Sequence, residues 1–311
     1  MNNYDVAIIG GSAAGLSAAL VLARANRRVV VVDSWTPRNA PATHMHGFLS
    51  RDGMSPADLL AVGRTEVEGY GGELIRGRAT GVVPNGDDGF WVLLDDGSRL
   101  GARTTLVATG LRDELPAIPG LTERWARDVL HCPYCHGHEV TGQQIGVLGG
   151  AAGAVRYAQI VRQWTDDLVY FTPPDTLTAA ERAGLVARAI GVVEGTVDHL
   201  VVDDDQLTGI QMTDGRVVPR DALFVPPRFV PNDHLLTALG CATDDVGWVR
   251  VDPSGRTSVA GVWAAGNVVD ARAQVITAAG AGSAAAISIN ADLVDDDVRR
   301  AVDAHDSGQA S

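Results

Sequence analysis

The chain has no apolar run approaching the roughly 18 uninterrupted residues that a membrane helix requires, which argues against a helical span. It also lacks an excess of positive charge. Lys and Arg number 25 against 38 Asp and Glu, a net charge of −13, so neither a nucleic-acid backbone nor an anionic membrane is an expected partner. The sequence turns strand-like at Tyr4 with no basic leader and no small-residue cleavage site, and the expected compartment is the cytoplasm. Cysteine is scarce as well, with three in 311 residues. In a reducing compartment a C-x-x-C pair reads as catalytic or metal-binding rather than as a structural staple. No low-complexity linker interrupts the chain. An acidic run near the end, Asp295-Asp296-Asp297, is expected to cap a terminal helix or to solvate a face.

What is present is an ordinary globular composition, 46% hydrophobic and 20% charged, long enough for two domains with sizeable cores. Asp5–Gly10 is a short apolar strand ending in glycine, Ala14–Ala25 has helical spacing, and Arg28–Asp33 is a second buried strand ending in an acid. Together they form a β-α-β unit of the parallel, helix-covered kind. Phe90–Leu94 and Arg99–Ala108, joined through Asp95-Asp96-Gly97, predict a hairpin whose second strand returns to the sheet. A second β-α-β follows Pro116–Leu121: strand Gln144–Leu148, a helix from about Gly153 to Trp164, and strand Leu168–Phe171. A hairpin is expected around Asp214-Gly215. After Pro226-Pro227-Arg228, Trp248–Leu293 returns to strand, a glycine turn at Gly266 and an alanine-rich helix; His305–Ser311 is expected to fray. The fold class expected is α/β, with two Rossmann-like nucleotide-binding domains and the second inserted into the first. Residues 1–115 and 229–311 form one domain and 116–228 the other.

Gly10-Gly11-Ser12-Ala13-Ala14-Gly15 follows a strand and opens a helix, the context in which a glycine pattern binds pyrophosphate. Gly10 permits the turn, Gly15 lets helix pack on strand, and the helix start offers free amides to phosphate. Ser12 stands where a second glycine is usual, and Asp33 is placed for a ribose diol. A purely structural glycine turn is the bland alternative.

Between the two nucleotide folds lies His131-Cys132-Pro133-Tyr134-Cys135-His136. Zinc would need two further ligands, which Cys241 cannot supply and which the adjacent His131, His136 and His138 converge on poorly; no metal is expected. An inert structural pair is a further alternative, and redox chemistry is the reading preferred. Cys241 reads as a small buried hydrophobe. The second glycine turn, Gly149-Gly150-Ala151-Ala152-Gly153-Ala154, loses two of three key glycines. The strand after it ends Tyr170-Phe171-Thr172-Pro173-Pro174, with neither arginines for a 2′-phosphate nor an acid for a ribose.

With Ala108-Thr109-Gly110, Gly261–Asn267 and Gln274–Gly280 added, the chain resembles the low-molecular-weight thioredoxin reductase family of flavoproteins over essentially its whole length. The resemblance implies FAD, held by Gly10, Ser12, Ala13, Ala14, Gly15, Asp33, Arg38, Ala108, Thr109, Gly110, Gly266, Asn267, Gln274 and Val275. Asn267 stands where the family has aspartate. It implies that Cys132 exchanges with substrate and that Cys135 faces the flavin. His136 takes the place of the family's acid, and its ordinary pKa of roughly 6.5 suits proton transfer near neutrality; His138 competes for that role. The histidine after the pair and the missing nicotinamide clamp resemble the dithiol oxidases of gliotoxin, holomycin and romidepsin biosynthesis. That subgroup implies a small-molecule dithiol substrate oxidised through the Cys132–Cys135 disulfide, with O2 as final acceptor, H2O2 as product, and a homodimer. An NAD(P)H- or ferredoxin-dependent disulfide reductase and a non-enzymatic flavin redox sensor are the rival readings. Arg38-Asn39, His44 and His46 are candidates for the substrate pocket wall.

Overall fold

β1 (Asn3–Ile9) and β2 (Val29–Asp33) are runs of Val, Ile and Ala buried on both faces, the pattern of parallel strands covered by helices. The computed structural model describes residues 3–86 and 89–309. Between the two strands α1 (Ala13–Arg24) buries a face of small residues. α2 (Pro56–Gly69) starts at Ser55, whose hydroxyl accepts from the Asp58 amide at 3.0 Å, and leads into β3 (Glu73–Arg76). β4 (Ala79–Pro84), β5 (Phe90–Leu94) and β6 (Arg99–Val107) follow, then β7 (Leu111–Glu114). The sheet runs β3-β2-β1-β6-β5-β4, parallel as far as β6 and antiparallel beyond.

β8 (Val129–Leu130) and the single helical turn α3 (Pro133–His136) precede the second β-α-β, made of β9 (Ile145–Leu148), α4 (Ala154–Val161) and β10 (Leu168–Thr172). α5 (Ala179–Ala187), closed at its start by a Thr178–Glu181 capping box, leads to β11 (Gly191–Glu194). β12 (Val197–Asp203), β13 (Gln206–Met212) and β14 (Val217–Pro219) form an antiparallel meander with a turn at Asp214-Gly215. β15 (Ala222–Phe224) then returns to a parallel sheet of order β11-β10-β9-β15-β8. β16 (Arg228–Pro231) pairs with β7. α6 (His234–Ala238), β17 (Val262–Ala264) alongside β6, and the long α7 (Val275–Gln309) complete the chain.

The chain divides into two units. One holds the chain up to Ala40, Ser55–Arg112 and the chain from Val230 onward; the other holds Pro41–Met54 and Asp113–Phe229. Each has its own core, around Ile8, Leu22, Leu106 and Trp263 in the first and Ile145, Leu168, Leu185 and Phe224 in the second. The α/β class with parallel sheets is the one the sequence indicates. Segment 41–54, read from sequence as part of the first domain, groups with the second unit. It closes on itself through Met45 and Met54, whose amide and carbonyl bond at 2.9 Å, and His46 reaches Glu139.

Two sequence expectations at the C-terminal end change. Asp295-Asp296-Asp297 neither caps nor merely solvates: it lies inside α7, where Arg103 bonds Asp296 at 2.6 Å and Asp297 at 2.7 Å. Arg27 also reaches Asp297 at 2.7 Å. The Arg103 guanidinium, with Arg299 and Arg300, holds the Asp296 carboxyl down to about 2. Where a tail was expected from His305, α7 stays helical to Gln309. Ala310 and Ser311 lie outside the described residues. Among the described residues no helix is long and apolar enough to cross a membrane.

α1 and α7 cross at Gly282, where a Cβ would lie 2.0 Å from the Ala14 carbonyl oxygen. Gly282→Ala is therefore expected to lower unfolding stability by about 1–3 kcal/mol in chemical denaturation. Gly280→Ala, where a Cβ meets nothing within 4 Å, should be neutral or stabilising.

Candidate functional site

In the first unit the glycine turn is built by close backbone approach. Gly10 has φ +107°, and a Cβ there would sit 2.3 Å from the Ala108 carbonyl oxygen; at Gly15 it would sit 1.8 Å from the Gly10 oxygen. Only hydrogen fits between these strands and α1. The N-cap, Ser12, makes no side-chain hydrogen bond to the first turn, leaving the amides around Ala13 and Ala14 for a ligand. Asp33 accepts from the Gly11 amide and from the Trp35 amide, each at 2.6 Å. The acid thus shapes the turn, while each carboxylate oxygen keeps a second lone pair for a ribose hydroxyl. A cradle that excludes any Cβ, uncapped amides and an adjacent acid fit the diphosphate and ribose of a dinucleotide.

The structure brings Gly10, Ala14, Gly15, Ala108 and Gly266 together: a Cβ on Gly266 would lie 3.0 Å from that of Ala14. Arg38 is half-buried in the loop after β2. Thr109 and Gly110 are locked by Asn232, which donates to the Thr109 carbonyl at 3.0 Å, accepts from the Thr109 hydroxyl at 2.7 Å and bonds Gly110 at 2.9 Å. Asn267 differs from expectation. Its amide nitrogen donates to the carbonyls of Asp270 and Ala273 at 2.9 and 3.0 Å, so it holds the loop before α7, and only its carbonyl oxygen is left to accept from a ligand. An aspartate could not donate these bonds. Gln274 directly precedes α7 and accepts from the Ala278 amide at 2.8 Å; Val275 is its first residue.

Sequence reasoning missed Asn232 and a second feature beside Asp33. Trp35, with φ +61°, has the guanidinium groups of Arg64 and Arg76 over its ring, 4.6 and 5.1 Å from its centroid. The signal for that stack, an exposed Trp after a strand-end acid, was in the chain; the arginines come from α2 and β3.

The second unit repeats the turn with a different occupant. Gly10 and Gly149 each donate to the next strand's penultimate carbonyl, of Val32 at 2.8 Å and Phe171 at 2.7 Å. Gly150 therefore matches Gly11, and Thr172 matches Asp33. In place of an acid stands Thr172, whose hydroxyl pairs with that of Thr176 at 2.6 Å, and the Tyr170 phenol lies against the turn at Gly149. Its ring packs so closely that a Cβ on Gly149 would be 2.5 Å from Cζ. Burial pushes the Tyr170 phenol up, so it stays neutral. The turn closes further with the Ala154 amide bonded to the Ala151 carbonyl at 3.1 Å. Arg182, on α5, pairs with Glu194.

Also in the second unit, β8 delivers His131 and Cys132 to α3, with Cys132 as N-cap and Pro133 at the first helical position. Cys132 and Cys135 form a disulfide with Cα atoms 5.2 Å apart. α3 is a single helical turn. The Tyr157 hydroxyl donates to the His131 carbonyl, and the His131 ring lies between Trp125 and Phe229 at 6.1 and 5.5 Å. Tyr134 is exposed, edge-on to Trp164. His136 is half-buried and His138 exposed. Burial holds the His136 imidazole below its ordinary value, with Glu139 pulling it up and His46 pushing it down. It is therefore neutral near pH 7 and able to take a proton. Asn39 is half-buried and His44 exposed; His46 sits 3.3 Å from both Asp52 and Glu139. Among the described residues no cluster of three His, Cys, Asp or Glu could hold a metal.

A family model described as pyridine nucleotide-disulphide oxidoreductase matches residues 4–283. Thioredoxin reductase tcpT of Claviceps purpurea is 31% identical over 283 residues, 86% of this chain and 87% of its own. Thioredoxin reductase sirT of Leptosphaeria maculans is 28% identical over 308 residues, 92% and 93% of the two chains. The solved structure of HlmI superposes with a TM-score of 0.94 at 57% identity, covering 97% of this chain and 96% of that one.

Cys241 lies in the first unit, buried, with its thiol 3.5 Å from the Thr257 hydroxyl and pushed up by burial. After reduction under native conditions, a thiol reagent at neutral pH should modify two cysteines rapidly. The third should react only on denaturation, as read by mass spectrometry.

Proposed function

The chain belongs to the pyridine nucleotide-disulphide oxidoreductase family, whose members are FAD-dependent, and from that premise we propose that it oxidises a small-molecule dithiol to its disulfide. The observation that carries the reading is the second glycine turn. Its Ala154 amide is engaged by the Ala151 carbonyl, Tyr170 packs against Gly149, and its strand ends in Thr172-Pro173-Pro174, which offers a nicotinamide dinucleotide neither a phosphate clamp nor a ribose acceptor. Electrons then enter through the thiol side.

The residues divide the work. Gly10, Ser12, Ala13, Ala14, Gly15 and Asp33 would hold the ADP half of FAD. Arg38, Ala108, Thr109, Gly110, Gly266, Asn267, Gln274 and Val275 would hold the remainder. A substrate thiolate attacks the Cys132 sulfur, its proton passing to His136, and Cys135 leaves as thiolate. The substrate's second thiol attacks its own sulfur in that mixed disulfide and displaces Cys132, releasing a substrate disulfide and leaving both cysteines reduced by one electron pair. FAD held by these residues would supply the acceptor for that electron pair, with O2 as the final acceptor and H2O2 as the product. The apolar stripe Ile276, Ile287, Val294, Val298 and Val302, exposed along α7, supports a homodimer, and the expected compartment is the cytoplasm.

Because the curated relatives carry the name thioredoxin reductase, an NAD(P)H-dependent reductase is the second reading. In air, FAD-loaded protein given a small dithiol should consume O2 and form H2O2 in equal amounts. Cys132→Ser and Cys135→Ser should each reduce turnover at least about a hundredfold, since neither thiol exchange nor re-formation of the disulfide survives the loss. Turnover only with NADPH and an oxidised protein disulfide would favour the reductase.

A further inference from the structure

Loop 41–54 carries a histidine that the mechanism above does not use. Its backbone closes through Met45 and Met54, with the Gly53 amide also bonded to the Met45 carbonyl at 2.9 Å, and the Met45 side chain is 5% exposed. This holds the next residue, His46, in place. The Gly47 amide donates to Asp52 Oδ1 at 2.8 Å, which fixes the other carboxylate oxygen 3.3 Å from His46 Nδ1. On the opposite side His46 Nε2 lies 3.3 Å from Glu139 Oε1. Each ring nitrogen thus faces a carboxylate oxygen.

Glu139 stands three residues after His136 in the turn that continues α3. Left alone, a carboxylate there would favour the imidazolium of His136 and so remove the base that takes the substrate's thiol proton. We infer that His46 is a positioning residue of the dithiol site: by engaging Glu139 from loop 41–54 it withholds that carboxylate from His136, which stays free to accept a proton. The inference rests on the dithiol-oxidase reading for its purpose, though not for its geometry. The charged groups concerned are His138 and Glu139 on the dithiol segment and His46 and Asp52 on the loop. Burial favours neutral His136, Glu139 opposes this, and His46 offsets Glu139.

The test is the proton-NMR titration of the His136 ring in the oxidised holoenzyme, its signal identified by its loss in His136→Gln. His46→Gln should move the midpoint up by about half a pH unit or more. Glu139→Gln should move it down, and the double variant should return it close to wild type, because the two opposed influences on His136 are then removed together. The acid limb of dithiol-driven flavin reduction should shift in the same directions, while the high-pH plateau of His46→Gln stays within about twofold of wild type, the base being unaltered there. A purely structural role for His46 would depress the plateau and leave the midpoint in place. An unchanged or lowered midpoint in His46→Gln overturns the inference even if dithiols reduce the enzyme. Should His46→Gln not fold, a Glu139→Gln midpoint that fails to fall overturns it equally. Midpoints that shift as expected in a protein no dithiol reduces would leave the His46–Glu139 coupling intact and remove the proposed reaction instead.

Discussion

The residue that meets each glycine turn separates the two halves of this molecule. In the first β-α-β the Gly11 amide is held by Asp33, at the edge of a helix start whose other amides are uncapped. In the second, the position of that acid is taken by Thr172, whose hydroxyl pairs with Thr176, and the buried Tyr170 ring packs beneath Gly149. An acid at the strand end holds the turn and still has lone pairs facing outward for a ribose. A threonine hydroxyl engaged with its neighbour brings no charge to that place. One fold template thus carries the acid of a nucleotide cradle in one place and lacks it in the other.

The second scaffold carries the dithiol. Tyr157 on α4, the helix that would have faced a pyrophosphate, donates to the carbonyl immediately before Cys132. Trp125 and Phe229 bracket the His131 ring. Thiol–disulfide exchange releases a proton with each thiolate formed, so the local chemistry turns on a base that is neutral at working pH. Burial supplies this for His136 at the cost of its solvation, and nearby charges then tune it.

Much of the cofactor cradle was legible in the chain because its determinants are local. Gly10, Gly15 and Asp33 lie within one β-α-β, and their spacing dictates the close approaches that the structure shows. The Cys132–Cys135 pair was equally legible. What sequence could not show arises from contacts between distant segments. Asn232 meets Thr109 across more than a hundred residues, Arg64 and Arg76 converge on Trp35 from separate elements, and loop 41–54 groups with the dithiol rather than with the strands that flank it in sequence. Tyr170 was noted only as part of a strand lacking arginine; its role depends on which face of the strand it occupies and how close Gly149 comes. The acidic run 295–297 reads as solvated because its partners, Arg27 and Arg103, lie nearly two hundred or more residues earlier.

The central claim is that electrons enter this flavoprotein from a dithiol and not from a pyridine nucleotide. Anaerobic stopped-flow mixing of the FAD-loaded enzyme, in parallel, with NADPH or NADH and with a small dithiol, following loss of flavin absorbance near 450 nm as an order-of-magnitude marker band, compares the two routes directly. The account predicts fast, saturable bleaching by the dithiol and none by either nucleotide on the same timescale. Rapid bleaching by NADPH or NADH, with the dithiol inert, would contradict it.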